Sequence, residues 1–188
     1  MESAGIGCDA QPLALVQAAH AGKAHDEKYA ARPRVLFFAG CVMPELFGGV
    51  NRASLRVLAR NGFDVVVPPE QGCCGALHAH AGDLVHARRL AQVNLAAFTP
   101  EPGCRDAIVV NSAGCGAALR ELEHWLPGEA AATAARVRDL CEFLDASGLR
   151  KPPLRLATRV CYDDPCHLVH AQKVAAAPRR LLTAIDGL

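Results

Sequence analysis

The chain has 188 residues, 51% of them hydrophobic, and 20 Lys and Arg against 19 Asp and Glu leave a formal charge of +1. That length makes one ordinary domain able to bury a substantial core, and the even charge excludes a global pull toward nucleic acid, anionic membrane or polyanionic substrates. Nine cysteines and eight histidines stand out in a chain with only 5% aromatic residues.

Residues 1–32 are rich in Ala, His and charge, show no strand pattern, and read as a leader or the remnant of a preceding helical segment. From Arg34, RVLFFAG predicts a fully buried strand. A helix is predicted over about 48–61, where Val50, Ala53, Val57 and Leu58 recur at helical spacing and Asn61-Gly62 supplies the stop. FDVVVP predicts a second strand, QGCCG a turn, and residues 76–98 a helix with Leu77, Ala81, Leu84, Ala87, Ala91 and Leu95 on one face. After the break at EPGC, AIVVN predicts a third strand, with helices from beyond Gly114 to Trp125 and over about 133–146. LRLATRVCYDD predicts a fourth strand, Asp164-Pro165 a turn, and residues 167–185 a helical tail.

Strands alternating with helices imply an α/β fold: a parallel sheet of about four strands with helices on both faces. Ligands of such sheets gather beyond the carboxyl ends of the strands. There the pattern places Cys41 after the first strand, Cys73 and Cys74 after the second, Cys115 after the third and Cys166 after the fourth.

The odd cysteine count, the length and the lack of a basic-then-apolar leader argue against a secreted disulfide scaffold, and no apolar run is long enough to span a bilayer. A reducing cytoplasm is the expected compartment, and clustered cysteines there favour metal, cluster or redox chemistry. Glycines in AGC, GCCG and AGCG let the backbone turn sharply and approach a bulky ligand. Four thiolates from Cys41, Cys73, Cys74 and Cys115 suit an iron–sulfur cluster or zinc. The plain alternative is burial as small hydrophobes. It suits any one cysteine better than it suits a set at successive strand ends. Cys8 in the leader, Cys104 in a loop and Cys141 on an apolar helical stripe are assigned to packing or loops, and Cys161 to either a core position or a substitute ligand. His78 is either a fourth ligand or, with His80 and His86, part of a solvated helix face. His167 and His170 border the position of Cys166. No nucleophile elbow, GxGxxG or GxxxxGK[ST] loop is present, so neither nucleotide nor flavin is expected on this chain.

The strings AGCVMP, GCCGALH, SAGCGA and DDPCHLVHAQKV resemble the cysteine-rich CCG domain of the glycolate oxidase iron–sulfur subunit, with related domains in heterodisulfide reductase and the lactate-utilisation iron–sulfur proteins. The resemblance covers residues 33–188, and HAQK favours the glycolate oxidase branch. It implies a non-catalytic electron-transfer subunit of an oxidoreductase complex. Such a subunit passes electrons from a flavin-binding dehydrogenase that oxidises a 2-hydroxy acid, and associates with membrane at most peripherally through its partners. In that family the domain comes in two similar halves. Cys41, Cys73, Cys74 and Cys115 match the first half and would hold one [4Fe-4S] cluster; Cys166 matches the opening cysteine of the second and is a further candidate ligand. The second CCG turn and the CxxCxxCxxxCP stretch of the full-length subunit are missing. The chain therefore reads as a Rossmann-like half repeat plus an incomplete second half, truncated at both ends, with a separate chain as one way to complete it. Ser112-Ala113-Gly114-Cys115 stands where heterodisulfide reductase domains have CxxC, so a five-thiolate noncubane cluster is not implied. A zinc module on the same cysteines, and a remnant that folds without metal, remain the alternatives.

Overall fold

A computed structural model describes residues 32–99, 101, 103–128, 130–150 and 155–188. The expected leader up to residue 31, with Cys8, lies outside the described residues. Four parallel strands, β1 (Arg34–Phe38), β2 (Asp64–Val66), β3 (Ala107–Val110) and β4 (Val137–Asp139), form one sheet in the order β2-β1-β3-β4. Arg34 pairs with Asp64, Val35 with Ala107, and Ile108 with Val137. The helices are α1 (Val42–Arg60), α2 (Ala76–His80), α3 (Leu84–Ala97), α4 (Ala113–Arg120), α5 (Leu122–Trp125), α6 (Ala131–Ala134), α7 (Leu140–Ser147) and α8 (Ala176–Thr183), and one turn of π-helix spans His167–Ala171.

The continuous apolar runs of β1 and β3 make sense in a sheet covered on both faces, because successive side chains point to opposite sides. Leu36, Phe38, Ile108, Val110 and Val137 pack with Ala91 of α3, Leu119 of α4 and Leu122 of α5. Val35, Phe37, Val65 and Val109 pack with Leu58 of α1 and Leu144 of α7. The α/β architecture with helices on both faces is as expected.

The predicted fourth strand is corrected. Residues 155–165 run irregularly, with Leu156 and Val160 about half exposed. Their apolar residues have neither a pairing partner nor a face to cover. The true fourth strand lies inside the predicted 133–146 helix, where Val137, Leu140, Cys141 and Leu144 mimic helical spacing. Asp139 marks the boundary. Its carboxylate accepts the Cys141 and Glu142 N–H groups at 2.8 and 3.4 Å, and the Glu142 carboxylate accepts the Asp139 N–H at 3.2 Å. This is a capping box, and its D-x-x-E signature was present in the sequence. Cys141 therefore stands just past the carboxyl end of β4, and Cys166 precedes the π turn rather than following a strand.

Other boundaries shift for similar local reasons. Gly82 (φ +81°) and Asp83, which caps α3 through the His86 N–H, split the predicted 76–98 helix in two. Helix α1 starts at Val42, earlier than predicted, and is interrupted at Phe47 ahead of Gly48-Gly49. The helix after Gly114 divides at Glu121, and the predicted tail becomes the π turn and α8.

Burial pushes the Asp139 carboxyl above its ordinary value, against the two N–H bonds that favour the anion. A raised acid contributes stability that is full below its unfolded pKa and is lost as pH rises through the folded value. Asn caps about as well as Asp and carries no charge. Asp139→Asn is thus expected to hold or raise the urea midpoint at pH 7, with any gain gone near pH 3. A loss beyond about 1 kcal/mol, the usual cost of a missing cap, would show that the charge itself is needed.

Candidate functional site

In the order β2-β1-β3-β4 the chain leaves β1 for one neighbour and later returns to the other side of it, so a crevice opens between the carboxyl ends of β1 and β3. Cys41 lies there as the N-cap of α1, and Cys115 lies in the first turn of α4. Cys73 and Cys74 sit in the turn between β2 and α2. Gly40 (φ +76°) precedes Cys41, and Gly75 (φ +81°) follows the double cysteine. Gly75 is also sterically confined: a Cβ there would stand 3.3 Å from the Ala87 carbonyl oxygen and 3.4 Å from the Trp125 ring. Gly75→Ala combines a left-handed backbone with that crowding and is expected to cost about 1–3 kcal/mol of unfolding free energy. An unchanged urea midpoint would mean that the turn relaxes.

The structure brings the four predicted thiols together. The sulfurs of Cys41 and Cys73 lie 3.3 Å apart. The Cys74 and Cys115 side chains interact with each other, and Cys115 also acts electrostatically on Cys41. The interaction with Cys74, helped by Ser112 and opposed by burial, lowers Cys115 to about 6. Burial, then the contact with Cys73, pushes Cys41 up to about 11. The interaction with Cys115, then burial, pushes Cys74 up. The arrangement is a soft-donor set with a thiolate at Cys115 near neutral pH and protonated thiols at Cys41 and Cys74. It runs from the core, where Cys74 packs with Phe38 and Leu119, to the exposed Cys41.

A set of buried amides that the sequence reading missed holds these loops in register. Gln71 accepts the Ala39 N–H at 2.7 Å and donates to the Phe37 and Pro68 carbonyls at 3.1 and 2.9 Å. Its side chain ties the chain before Cys41 to the chain before Cys73. Asn94 of α3, fully buried, accepts the Gly72 N–H at 2.9 Å and donates to the Cys73 carbonyl at 2.8 Å. Asn51 of α1 donates to the Ala39 carbonyl, and Asn111, at the end of β3, donates to Asn51 and Ser54. Gln172 donates to the Ala113 carbonyl at 2.9 Å, joining the segment after the π turn to the start of α4. The usable signal was polar residues on otherwise apolar helix faces: Asn94 falls one turn after Ala91 on α3.

The remaining candidates lie outside the four-thiol contacts. Cys161 and Cys166 are exposed. Cys104 lies before β3, at the opposite edge of the sheet, where Arg136 donates to its sulfur at 3.1 Å. Cys141 packs with Leu168, Val174 and Ala177, in keeping with its assignment to packing. His78 is bound to Asp83 at 3.1 Å and stacks on His86, and His80 stacks on His167 with ring centroids 6.4 Å apart. His170 falls within the π turn.

A doubly covered parallel sheet whose strand-end loops gather four thiols defines a cysteine-rich α/β domain. Residues 35–120 match the family of the cysteine-rich domain known as CCG. The chain is similar to the probable glycolate oxidase iron-sulfur subunit of Bacillus subtilis (strain 168), with 40% identity over 83% of this chain and 36% of that protein. It is 35% identical to a subunit of the fumarate reductase (CoM/CoB) of Methanothermobacter marburgensis, over 90% of this chain and 33% of the relative. It is also 35% identical to the glycolate oxidase iron-sulfur subunit of Escherichia coli (strain K12), over 79% of this chain and 38% of the relative. The chain thus spans little more than a third of the length of these relatives. No solved structure matches it. Among the described residues, no helix is long and apolar enough to cross a membrane.

Proposed function

We propose that the chain is an iron–sulfur electron-transfer module in which Cys41, Cys73, Cys74 and Cys115 hold one [4Fe-4S] cluster. Its electrons come from a partner flavin-binding dehydrogenase that oxidises a 2-hydroxy acid such as glycolate. The observation that carries this reading is the convergence of four thiols, from three strand-end loops, at the crevice between β1 and β3. The donors fit such a group: all four are sulfur, the soft ligand that iron–sulfur clusters take. A Cβ on Gly114, beside Cys115, would meet nothing within 4 Å, so the backbone next to that thiol faces open space. The names of the relatives, iron-sulfur subunits of glycolate oxidases, support both the cofactor class and the partner.

Once bound, a cluster of this kind supplies one-electron transfer. The chain's own contribution is to hold and tune the sulfurs. The Gly75 N–H reaches the Cys73 sulfur at 3.5 Å, and the Val42 and Ala76 N–H groups favour the ionised forms of Cys41 and Cys74. Hydrogen bonds to sulfur stabilise the more negative state and so raise a reduction potential. The exposed Cys41 is the edge from which electrons can enter or leave.

Anaerobic reconstitution with iron and sulfide tests the assignment. About four irons and four sulfides per chain are expected, as for one cubane cluster, with loss of both in Cys74→Ser. Zinc bound without sulfide would establish a zinc module instead. A folded protein that takes up neither metal would overturn both readings.

A further inference from the structure

Three metal-ligating side chains form a second group away from the cysteines. His78 lies in α2, Asp83 caps α3, and His86 lies in the first turn of α3, with Gly82 making the bend between the two helices. The Asp83 carboxylate oxygen Oδ2 lies 3.1 Å from His78 Nδ1 and 2.8 Å from His86 Nδ1. The two rings stack with centroids 5.4 Å apart and planes at 27°. One ligand atom from each residue falls within 4.8 Å of the others.

Helix capping alone does not account for this convergence. A cap needs one carboxylate oxygen, and Oδ1 fills that role by accepting the His86 N–H at 3.3 Å. His78 belongs to the preceding helix and has no part in capping α3, yet its ring nitrogen lies against Oδ2, while the His86 ring nitrogen reaches both oxygens, at 2.9 Å from Oδ1 and 2.8 Å from Oδ2. Metal–nitrogen and metal–oxygen bonds of about 2.0–2.2 Å at a right angle leave ligand atoms about 3 Å apart. The separations across Asp83 Oδ2 are of that size.

We propose that His78, Asp83 and His86 form a binding site for one divalent cation of the zinc and nickel class. Imidazole ligands select these borderline ions over magnesium and calcium, which prefer all-oxygen shells. The side chains are 38–60% exposed, so solvent fills the remaining coordination positions. Bound there, the cation cross-links α2 to α3 and so braces the helix that follows the double-cysteine turn. The site shares no ligand with the four thiols and does not depend on their loading.

Calorimetric titration with Ni²⁺ alone, on reconstituted protein, tests the site, together with the Co²⁺ absorption spectrum to report the ligand type. One equivalent is expected at micromolar affinity on the reconstituted protein, without thiolate-to-cobalt charge-transfer bands. Loss of an outer-shell partner alone weakens metal sites by about 10- to 100-fold, so His86→Gln and His78→Gln, which remove ligands, should each lose at least tenfold. Circular dichroism confirms that these exposed positions leave the fold intact. Absence of binding, wild-type affinity in both histidine variants, or a bound equivalent whose cobalt spectrum is that of thiolate ligands would each overturn the proposal.

Discussion

Metal loading at the four-thiol crevice is expected to strengthen by at least about 100-fold for each unit of pH through the neutral range, because the two raised thiols alone, Cys41 and Cys74, must each give up a proton as ligands form. The sign follows from the environments. Cys41, pushed up to about 11 by burial and by Cys73, holds its proton at pH 7 to 8, as does Cys74, which is also raised. Each proton displaced adds one unit of slope to log affinity against pH. Cys115, lowered to about 6, is already a thiolate above neutrality and adds a further unit of slope only below that value. Anaerobic Co²⁺ titration, followed through thiolate charge-transfer absorbance at pH 6.5, 7.0 and 7.5, measures this directly. A pH-independent affinity would show that these thiols do not ligate the metal.

Removing the Asn94 amide is the substitution expected to do most harm at a distance from any sulfur. Asn94→Ala leaves the Gly72 N–H and the Cys73 carbonyl without their partners in a fully buried setting. Each orphaned buried group costs about 1–3 kcal/mol, so the pair amounts to roughly 2–6 kcal/mol of unfolding free energy. Asn94→Asp is informative beside it, since a carboxylate still accepts from Gly72 but cannot donate to Cys73 and adds a buried charge. Urea unfolding of the metal-free protein should show a lower midpoint for both variants at similar slope. Iron retained per folded chain after reconstitution should fall as well, because the turn that carries Cys73 and Cys74 loses its anchor to α3. Full iron retention with the stability loss would confine Asn94 to a structural role.

The sheet and its site were legible to different degrees. Long apolar runs such as RVLFF and AIVV declare buried strands by themselves, and the glycine-flanked cysteines after them mark the functional edge. The three-residue β4 was hidden, because a strand that short has no period of its own and its neighbours Val137, Leu140 and Leu144 imitate a helix. The segment before Cys166 misled in the opposite way: its apolar residues resemble a strand, but the place beside β3 is taken by β4, and the segment pairs with none of the described strands. Local chemistry outranked periodicity in both helix errors, through the capping box at Asp139 and the Gly82-Asp83 break. The thiol set was readable because its members share one residue type at topologically equivalent positions. The amides that fix it were not, since Gln71, Asn94 and Asn111 come from unrelated elements and meet only once the chain is folded.

Cys74 is at once a wall of the hydrophobic core and a member of the thiol group. A protonated thiol is a small apolar side chain, so the metal-free protein keeps that wall filled and has no void to collapse into. Zinc fingers, which unfold when stripped, build their interior around the ion; this domain builds its interior first and meets the metal at the margin. If the thiol group holds the proposed cluster, maturation separates into two independent events in time, polypeptide folding and cofactor delivery. A stripped chain remains a competent acceptor that can be refilled without passing through the unfolded state.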